Sequence, residues 1–270
     1  MKPLVLTLKE RPAQRLDLSP LVPHRLIGKS ALDIAKLELQ TTRTRMTVGD
    51  AFRVRDGDAR EIRIEADCDR LDQVGEGMTT GSIVVEGSVG SQAGRLMAGG
   101  HLTIKGNTGP WAGSGMAGGE IEIIGSAGDR LGGPLPGETS GMRGGVVVVR
   151  GNVGDRAGDR MRRGVVIVEG SAGSHAGSRM IAGTLVVRRK AGALPGYLMR
   201  RGTIILGDGS DVLSPTFLDS GIHELVAMRL LAAFVNDHSA KAASALRRPL
   251  RRLAGDIAVL GKGELFCAPG

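Results

Sequence analysis

The chain has 270 residues, of which 43 are glycine, only 2% are aromatic, and the formal net charge is +8. This length suffices for a buried core, whereas the near absence of aromatic side chains excludes a core built on aromatic packing. No apolar run approaches the roughly 18 residues of a membrane span, and the apolar stretch at the N-terminus is too short for a signal peptide, so we expect a cytoplasmic protein without a membrane partner. The positive charge favours a polyanionic partner, but the scattered aromatics argue against nucleic acid.

The first segment, residues 1–60, is predicted to combine strands and helix. Leu4 to Leu8 (LVLTL) is typical of a strand. Ser30 precedes ALDIAKLEL and has Asp33 three positions later, which predicts a helix with a capping box. We expect this segment to form an N-terminal cap for the region that follows.

The region 61–210 is dominated by a repeat centred on methionine. Its methionines are separated by intervals of 19, 19, 26, 19, 19 and 19 residues. They are Met78, Met97, Met116, Met142, Met161, Met180 and Met199. Around each of them the pattern G-x-x-G-x-x-x-G-x-x-M-x-x-G returns, followed by a short aliphatic run such as VVIV (165–168). Such regularity at a fixed period indicates a repeat architecture.

A 19-residue unit with one short strand and several turn glycines is too short for a helix pair and fits one coil of a β-solenoid. The predicted fold class is therefore mainly β: a right-handed parallel β-helix of about seven 19-residue coils, with an N-terminal cap and a C-terminal helical segment. Equivalent strands would pair in parallel at about 4.8 Å. The methionines would fill the interior, because their unbranched side chains adapt to narrow spaces.

The 26-residue interval contains seven extra residues within LGGPLPGETS (131–140), which are predicted to form a loop at one corner of the repeat. After residue 210, the segment 221–235 (GIHELVAMRLLAAFV) is apolar almost all round. Such a helix either packs on the repeat or is buried in another subunit. Residues 211–270 are accordingly predicted to form a C-terminal helical tail.

Motifs for catalysis or metal binding are missing from the sequence. The five histidines show no metal-ligand spacing, and no nucleophile elbow is present. Cys68 and Cys267 are almost 200 residues apart, so we expect two reduced structural thiols rather than a metal cage. The sequence therefore predicts no catalytic residue and no metal ligand in this chain.

Arginines recur beside the repeat methionines and predict a basic column on the surface. We call this set the arginine strip: Arg143, Arg160, Arg162, Arg163, Arg179, Arg200 and Arg201. Two interpretations are open. Either Asp155, Asp159, Glu169 and solvent neutralise the strip, or it binds an acidic tail, polyanion or partner subunit.

A second group, which we call the C-terminal basic cluster, comprises Lys241, Arg247, Arg248, Arg251 and Arg252, with no acidic residue between positions 239 and 255. It fits either a solvated helical face or a second contact for a polyanion or partner.

Several stretches together resemble one protein family. They are VRDG with EIRIEADCDRLDQVGEGMTTG (61–81), the methionine-glycine repeats, ETSGMRGG, SPTFLDSG and GDIAVLGKGELF (255–266). The repeat alone resembles the GXGXG domain at the C-terminus of the glutamate synthase large subunit. The whole chain resembles the C subunits of formylmethanofuran dehydrogenases, and in particular the branch found in bacterial formyltransferase/hydrolase complexes.

This resemblance implies a non-catalytic structural subunit in one-carbon metabolism. Complexes of this family convert formyl-tetrahydromethanopterin to formate, by way of a formylmethanofuran-type coenzyme, during formaldehyde oxidation. The implied partners are hydrolase, dehydrogenase-like and formyltransferase subunits, with the metal in a different subunit. Because such coenzymes carry glutamate chains, the resemblance also makes that chain a candidate ligand of the basic residues.

Two other functions stay open at this point. The chain could serve as the C subunit of a molybdenum or tungsten formylmethanofuran dehydrogenase, which the metal content of the complex would reveal. It could also be a free-standing polyanion-binding protein, which would be stable and functional without companions.

Overall fold

The computed structural model describes residues 2–41 and 43–269. The strands are β1 (Pro3–Leu8), β2 (Leu16–Asp17), β3 (Glu38–Thr41), β4 (Met46–Thr47), β5 (Phe52–Arg55), β6 (Asp58–Glu65), β7 (Leu71–Asp72), β8 (Ser82–Val85), β9 (His101–Ile104), β10 (Glu120–Ile123), β11 (Arg143–Val149), β12 (Arg163–Val168), β13 (Thr184–Val187), β14 (Arg201–Leu206), β15 (Leu218–His223), β16 (Leu250–Gly255) and β17 (Lys262–Cys267). The helices are α1 (Pro23–Leu26), α2 (Ala31–Ala35), α3 (Val48–Ala51), α4 (Val226–His238) and α5 (Ala240–Ala243), followed by a 3-10 turn (Ser244–Leu246).

Thirteen strands form one sheet in the order β15-β16-β17-β14-β13-β12-β11-β10-β9-β8-β6-β1-β5. From β8 to β14 each strand pairs in parallel with its equivalent in the neighbouring repeat, so that Ile121 lies between Leu102 and Val147. A second line of parallel bridges joins one residue per repeat, from Val89 to Ser210. The repeat period thus stacks identical positions in columns.

The predicted fold class is wrong. The prediction was a right-handed parallel β-helix of seven coils with a helical C-terminal segment, but the sheet is mixed. β5 at one end and β15 and β16 at the other run antiparallel to their neighbours. The prediction extended the repeat to the whole architecture, whereas the sequences at both ends of the repeat form strands of their own. The division into segments 1–60, 61–210 and 211–270 stays a prediction.

The repeat methionines pack in the interior, as predicted, and the side chains of all seven are 0% exposed. The terminal methyl groups of the first six lie against a glycine of the next repeat, and that of Met199 lies against Gly263 of β17. At Gly145, which has a φ of +81°, an added Cβ would stand 2.6 Å from Cε of Met116 and 2.7 Å from the carbonyl oxygen of Gly119. Glycine is required there both by its backbone conformation and by this close approach.

The N-terminal segment adds β1 and β5 to one end of the sheet. β1 pairs in parallel with β6 and antiparallel with β5, so the predicted strand is confirmed. The predicted capping box is also present, because Ser30 Oγ accepts the Asp33 N–H and Asp33 in turn accepts the Ser30 N–H. The helix that it begins, α2, is only five residues long, and the last part of the expected helix forms β3.

The C-terminal segment is helical only in part. β17 pairs in parallel with β14 and places Gly263 beside Gly202, so a strand from the end of the chain occupies the next position in the ladder. Residues Gly221 to His223, which were predicted to be helical, belong to β15, and α4 begins at Val226.

Helix α4 covers the outer face of the last repeats. Strand residues alternate between two cores: Val147 and Val149 point into the main core, while Val148 contacts the layer below α4. Met228, Ala232 and Val235 from α4 join that second core with Ile167, Val186 and Ile205. The opposite face of α4 stays exposed.

Candidate arginine interaction surface

Backbone hydrogen bonds hold the arginine strip in a column. The N–H of Arg162 donates to the carbonyl oxygen of Met142, and the N–H of Arg200 donates to that of Met180. Arg143 donates in the same way to Met116, and Ile181 occupies the equivalent place between Arg162 and Arg200. The ladder therefore stacks side chains of like charge at the spacing of adjacent strands.

Two further pairings bring basic residues side by side. Arg143 and Arg163 are partners in the register of β11 and β12, and Arg201 faces Lys262 across β14 and β17. All four of these residues are exposed. Like charges at directly opposed positions repel each other unless a counter-charge lies nearby.

Within residues 2–41 and 43–269, no carboxylate lies within 4.0 Å of a strip guanidinium, because the acids expected to neutralise the strip have other partners. Asp159 accepts the Ser178 hydroxyl at 2.7 Å and lies 3.8 Å from Arg156. Glu169 pairs with Arg150 and Lys241. The strip is therefore a surface of unpaired positive charge.

Three strip arginines converge on one depression of about 420 Å³. Its lining consists of Arg160, Arg179 and Arg200 together with Thr139, Ile181, Leu198 and Val259. Arg160 and Arg179 have φ angles of 50° and 53°, a left-handed conformation that occurs at the same position of each of these two repeats. The lining supplies three guanidinium groups and one hydroxyl but no carboxylate, so the depression suits an anionic group.

The loop within the 26-residue interval forms one wall of this depression. It is anchored rather than free, because Leu131 and Pro134 are buried and Glu138 accepts a hydrogen bond from Arg95 at 2.8 Å. Arg160 in turn donates to the carbonyl oxygen of Glu138 at 3.1 Å. This contact ties one strip arginine to the loop and places Thr139 at the rim.

The turn after β16 forms the opposite wall. Asp256 is 1% exposed, and its carboxylate accepts the N–H groups of Leu198 at 3.0 Å and Ala258 at 2.9 Å. These bonds fix the turn that carries Val259 against the strip. The depression is thus built from segments that are far apart in sequence.

The C-terminal basic cluster is different because most of its charges have partners. Arg251 pairs with Asp219 at 2.6 Å, and Arg252 pairs with Glu264 at 2.7 Å. Lys241 lies 3.4 Å from Glu169, and Arg248 lies 3.8 Å from Asp208. Arg247 donates to the Asn236 amide oxygen at 2.7 Å and has no carboxylate among the residues described. The alternative of one helical face does not hold, since Arg251 and Arg252 lie in β16.

A polar network docks the end of α4 onto the sheet, and Glu169 is at its centre. The Glu169 side chain is 7% exposed, accepts Arg150 Nη1 at 2.6 Å and accepts the Ser239 hydroxyl at 2.8 Å. Arg150 also bonds Glu122 and the carbonyl oxygen of His238, while His238 Nδ1 lies 3.1 Å from Glu120. The network therefore links three strands to the junction of α4 and α5.

The surroundings of Glu169 keep its carboxyl ionised. Burial alone would raise the pKa of this group, but the hydrogen bonds from Ser239 and Arg150 and the charges of Arg150 and Lys241 outweigh it. The pKa of Glu169 is consequently lowered from its ordinary value. The C-terminal basic cluster therefore contributes at least one charge to the internal structure of this chain.

Comparisons with known proteins identify the family. No family model matches the chain. A sequence relative is 53% identical over 253 residues, covering 94% of this chain and 95% of the relative, and is the C subunit of the formyltransferase/hydrolase complex Fhc of Methylorubrum extorquens. The chain belongs to the family of C subunits of the formyltransferase/hydrolase complex. This confirms the branch of the resemblance that the sequence indicated.

A solved structure agrees with the sequence relative. It is the crystal structure of the formyltransferase/hydrolase complex FhcABCD from Methylorubrum extorquens with methylofuran. One of its chains superposes with a TM-score of 0.93 at 45% identity, covering 98% of this chain and 100% of that chain. As a member of this family, the chain is a component of an enzyme complex.

The structure brings together residues that the sequence did not connect. Thr139, Leu198 and Val259 line the depression with the strip arginines, and none of them was predicted as a site residue. For Leu198 a signal existed, because it occupies the position equivalent to Arg160 and Arg179. Nothing in the local sequence could place Val259, which comes from beyond the repeat.

Metal-ligand groups and membrane-spanning helices are both missing from the described residues. No group of three or more histidine, cysteine or acidic side chains is placed to hold a metal ion. Of the helices that the structure describes, none is both long and apolar enough to cross a bilayer.

Proposed function

We propose that this chain is a non-catalytic structural subunit of a cytoplasmic formyltransferase/hydrolase complex, which converts formyl-tetrahydromethanopterin to formate via a formylmethanofuran-type coenzyme. The observation that carries the proposal is the 53% identity to the Fhc C subunit over 94% of the chain. The match to the FhcABCD complex supports companions of the hydrolase, dehydrogenase-like and formyltransferase kinds. The family is proposed to extend to the C subunits of formylmethanofuran dehydrogenases and to the GXGXG domain.

The arginine strip is proposed to contact a polyanion: the acidic surface of a companion subunit or the glutamate chain of the coenzyme. Support comes from the seven guanidinium groups without a carboxylate partner in the described residues, and from the depression lined by Arg160, Arg179 and Arg200. An anionic chain supplies the charge that this surface lacks. This chain would hold and orient such a group, whereas the metal and the formyl chemistry belong to other subunits.

Within the C-terminal basic cluster the same role is proposed chiefly for Arg247, because Arg248, Arg251 and Arg252 already lie near carboxylates of this chain. An exposed ion pair is weak and can exchange partners. These three residues would therefore contribute to polyanion binding only by giving up an internal contact.

The role in assembly is tested by co-expressing the tagged chain with its three companion subunits and recording native mass spectra. We expect a stable complex with formyl-transfer and formate-releasing activity, and no activity in the isolated chain. Molybdopterin and iron-sulfur clusters in the complex would instead indicate a dehydrogenase. A lone stable chain would contradict the proposal.

Charge reversal tests the strip. We expect the variant with Arg143, Arg162 and Arg200 all changed to glutamate to lose coenzyme retention or assembly by on the order of tenfold or more. The matched control changes the same three residues to lysine, which keeps the charge. Unchanged retention and assembly in the glutamate variant would exclude the strip as a contact.

A further inference from the structure

A groove runs beside α4 on a side of the molecule that the arginine strip does not include. It has a volume of about 410 Å³, at the lower end of the range of roughly 300–1,000 Å³ that is usual for binding clefts. Its apolar lining comes from Leu225, Met228, Ala232 and Leu246. Met228, Ala232 and Leu246 are at most 8% exposed, so they form a fixed floor.

Positive charge surrounds this floor. Arg229, Arg247 and Arg248 line the groove, opposed by the single carboxylate of Glu224. Arg229 has no carboxylate within 4.0 Å in residues 2–41 and 43–269, and Arg247 bonds only the neutral amide of Asn236. The groove therefore combines an apolar base with a cationic rim.

The groove continues into an exposed apolar stripe. Val226, Leu230 and Phe234 follow one another at helical spacing on α4, next to the side that lines the groove, and they are 70%, 69% and 40% exposed. Exposed apolar side chains that occur singly need no explanation, but a contiguous set beside a cleft marks an interaction surface. A small molecule confined to the groove would leave this stripe in water.

We propose that this α4 groove receives a segment of another subunit of the complex, with a large apolar side chain flanked by aspartate or glutamate. The inference rests on the proposed function, because it requires companion subunits. The apolar side chain contacts Met228 and Ala232, and the carboxylates meet Arg229 and Arg247. Such a segment covers the stripe as well as the groove.

A second copy of this chain is a poorer occupant on grounds of charge. A two-fold contact places the same surface on both sides. The groove rim would then bring Arg229 and Arg247 of the two copies against each other, with Glu224 in each copy to compensate and with Asp208 already beside Arg248. Like charges placed face to face across an interface are a strong barrier to association.

Photo-cross-linking in the assembled complex tests the occupant. A benzoylphenylalanine is introduced at Ala233, which lines the groove, or at Val226 in case the first position blocks docking. The matched control is Leu32 of α2, a residue that is 74% exposed on the N-terminal segment. We expect both α4 positions, but not Leu32, to cross-link to one companion peptide with an acidic residue within two positions of the attachment site. Cross-links to a second copy of this chain, or none at all, would overturn the proposal.

Charge reversal gives a second readout. We expect Arg229→Glu to lower recovery of companion subunits on the order of tenfold, whereas Arg53→Glu, an exposed arginine of β5, leaves recovery unchanged. Suppose that the wild-type complex assembles, the strip variants do not, and Arg229→Glu behaves as wild type. The groove proposal is then wrong, while the proposed function stands. If the wild-type chain recovers no companion, the proposed function fails.

Discussion

The arginine strip and the C-terminal basic cluster are both rich in arginine, yet they differ in what surrounds the charges. In the cluster, Arg251 and Arg252 each meet a carboxylate of a neighbouring strand, and Lys241 shares Glu169 with Arg150. In the strip, strand neighbours are other arginines or Lys262. At the strip positions the repeat therefore places like charges side by side, whereas at other positions, such as Arg95 and Glu76, it pairs opposite charges.

The cause of this difference is topological. In the strip, parallel stacking at a fixed period places equivalent residues side by side, so an arginine that recurs in the sequence faces an arginine in space. The cluster lies where β16 pairs antiparallel with β15 and β17, and antiparallel strands bring unrelated positions together. In the parallel repeat an ion pair forms only where the residue type changes from one repeat to the next, as at Glu169 and Arg150, and the strip positions lack such a change.

The largest expected effect comes from removing Glu169, the central acid of the polar network that docks α4 onto the sheet. Glu169→Ala should lower the free energy of unfolding by about 2 kcal/mol, because it leaves the Ser239 hydroxyl without its acceptor and removes one of the two carboxylates that hold the partly buried Arg150, which keeps Glu122. Urea denaturation followed by circular dichroism measures this change. The control Glu169→Gln retains an acceptor for Ser239 and should lose less. Equal stability of the alanine variant and the wild type would show that the network does not hold α4 and α5 in place.

Much of the local structure could be predicted from the sequence, because it depends on short-range patterns. The interior column of Met161 and its equivalents, the strand at Leu4 to Leu8 and the capping box at Ser30 all follow from residue type and spacing. The same reasoning gave the wrong fold class, because β15 and β16 carry no trace of the repeat. β17 does carry one: KGELFC matches RGTIIL of β14 position by position.

The candidate site was predictable only in part. The strip arginines were identified from their place beside the methionines, which is a periodic feature. Whether they were neutralised depended on the partners of Asp159 and Glu169. Ser178 and Arg150 lie 19 positions from these acids, whereas Ser239 lies 70 positions from Glu169. Neither partner type is recognisable from the local sequence around the strip, so the sequence alone left both interpretations open.

Acid should weaken the polar network around Glu169 more than the arginine strip. The pKa of Glu169 is lowered below its ordinary value of 4.5, so its contribution to stability is present above pH 4.5 and is lost as the pH falls through the folded-state value. Over this pH range we expect the free energy of unfolding of the wild type to fall by less than the substitution Glu169→Ala lowers it, because a protonated carboxyl still fills the same space. A pH series of urea midpoints for wild type and Glu169→Gln measures it. If the urea midpoint of Glu169→Gln falls with pH as steeply as that of the wild type, other groups cause the acid sensitivity.

A smaller effect on stability is expected from an exposed ion pair of the C-terminal basic cluster. Arg252 of β16 and Glu264 of β17 form a diagonal ion pair between neighbouring strands and are about one third exposed. Arg252→Ala should therefore cost about 0.5 kcal/mol, as is usual for a solvated ion pair. A double-mutant cycle with Glu264→Ala isolates the pair. A coupling energy above about 2 kcal/mol would show that this pair is far better shielded from solvent than a surface contact.

The smallest effect should have the opposite sign and lies in the strip. Arg163 stacks beside Arg143, and neither has a carboxylate partner in the described residues. Arg163→Thr should stabilise the isolated chain by a few tenths of a kcal/mol at low ionic strength, because it removes a like-charge contact and introduces a residue suited to strands. The gain should shrink as salt rises toward 1 M, where charges more than about 3 Å apart are screened. Thermal melts of the two chains over a salt series measure the difference. A destabilised variant would mean that Arg163 has a favourable internal contact, and the contrast between the two basic regions would then not hold at this position.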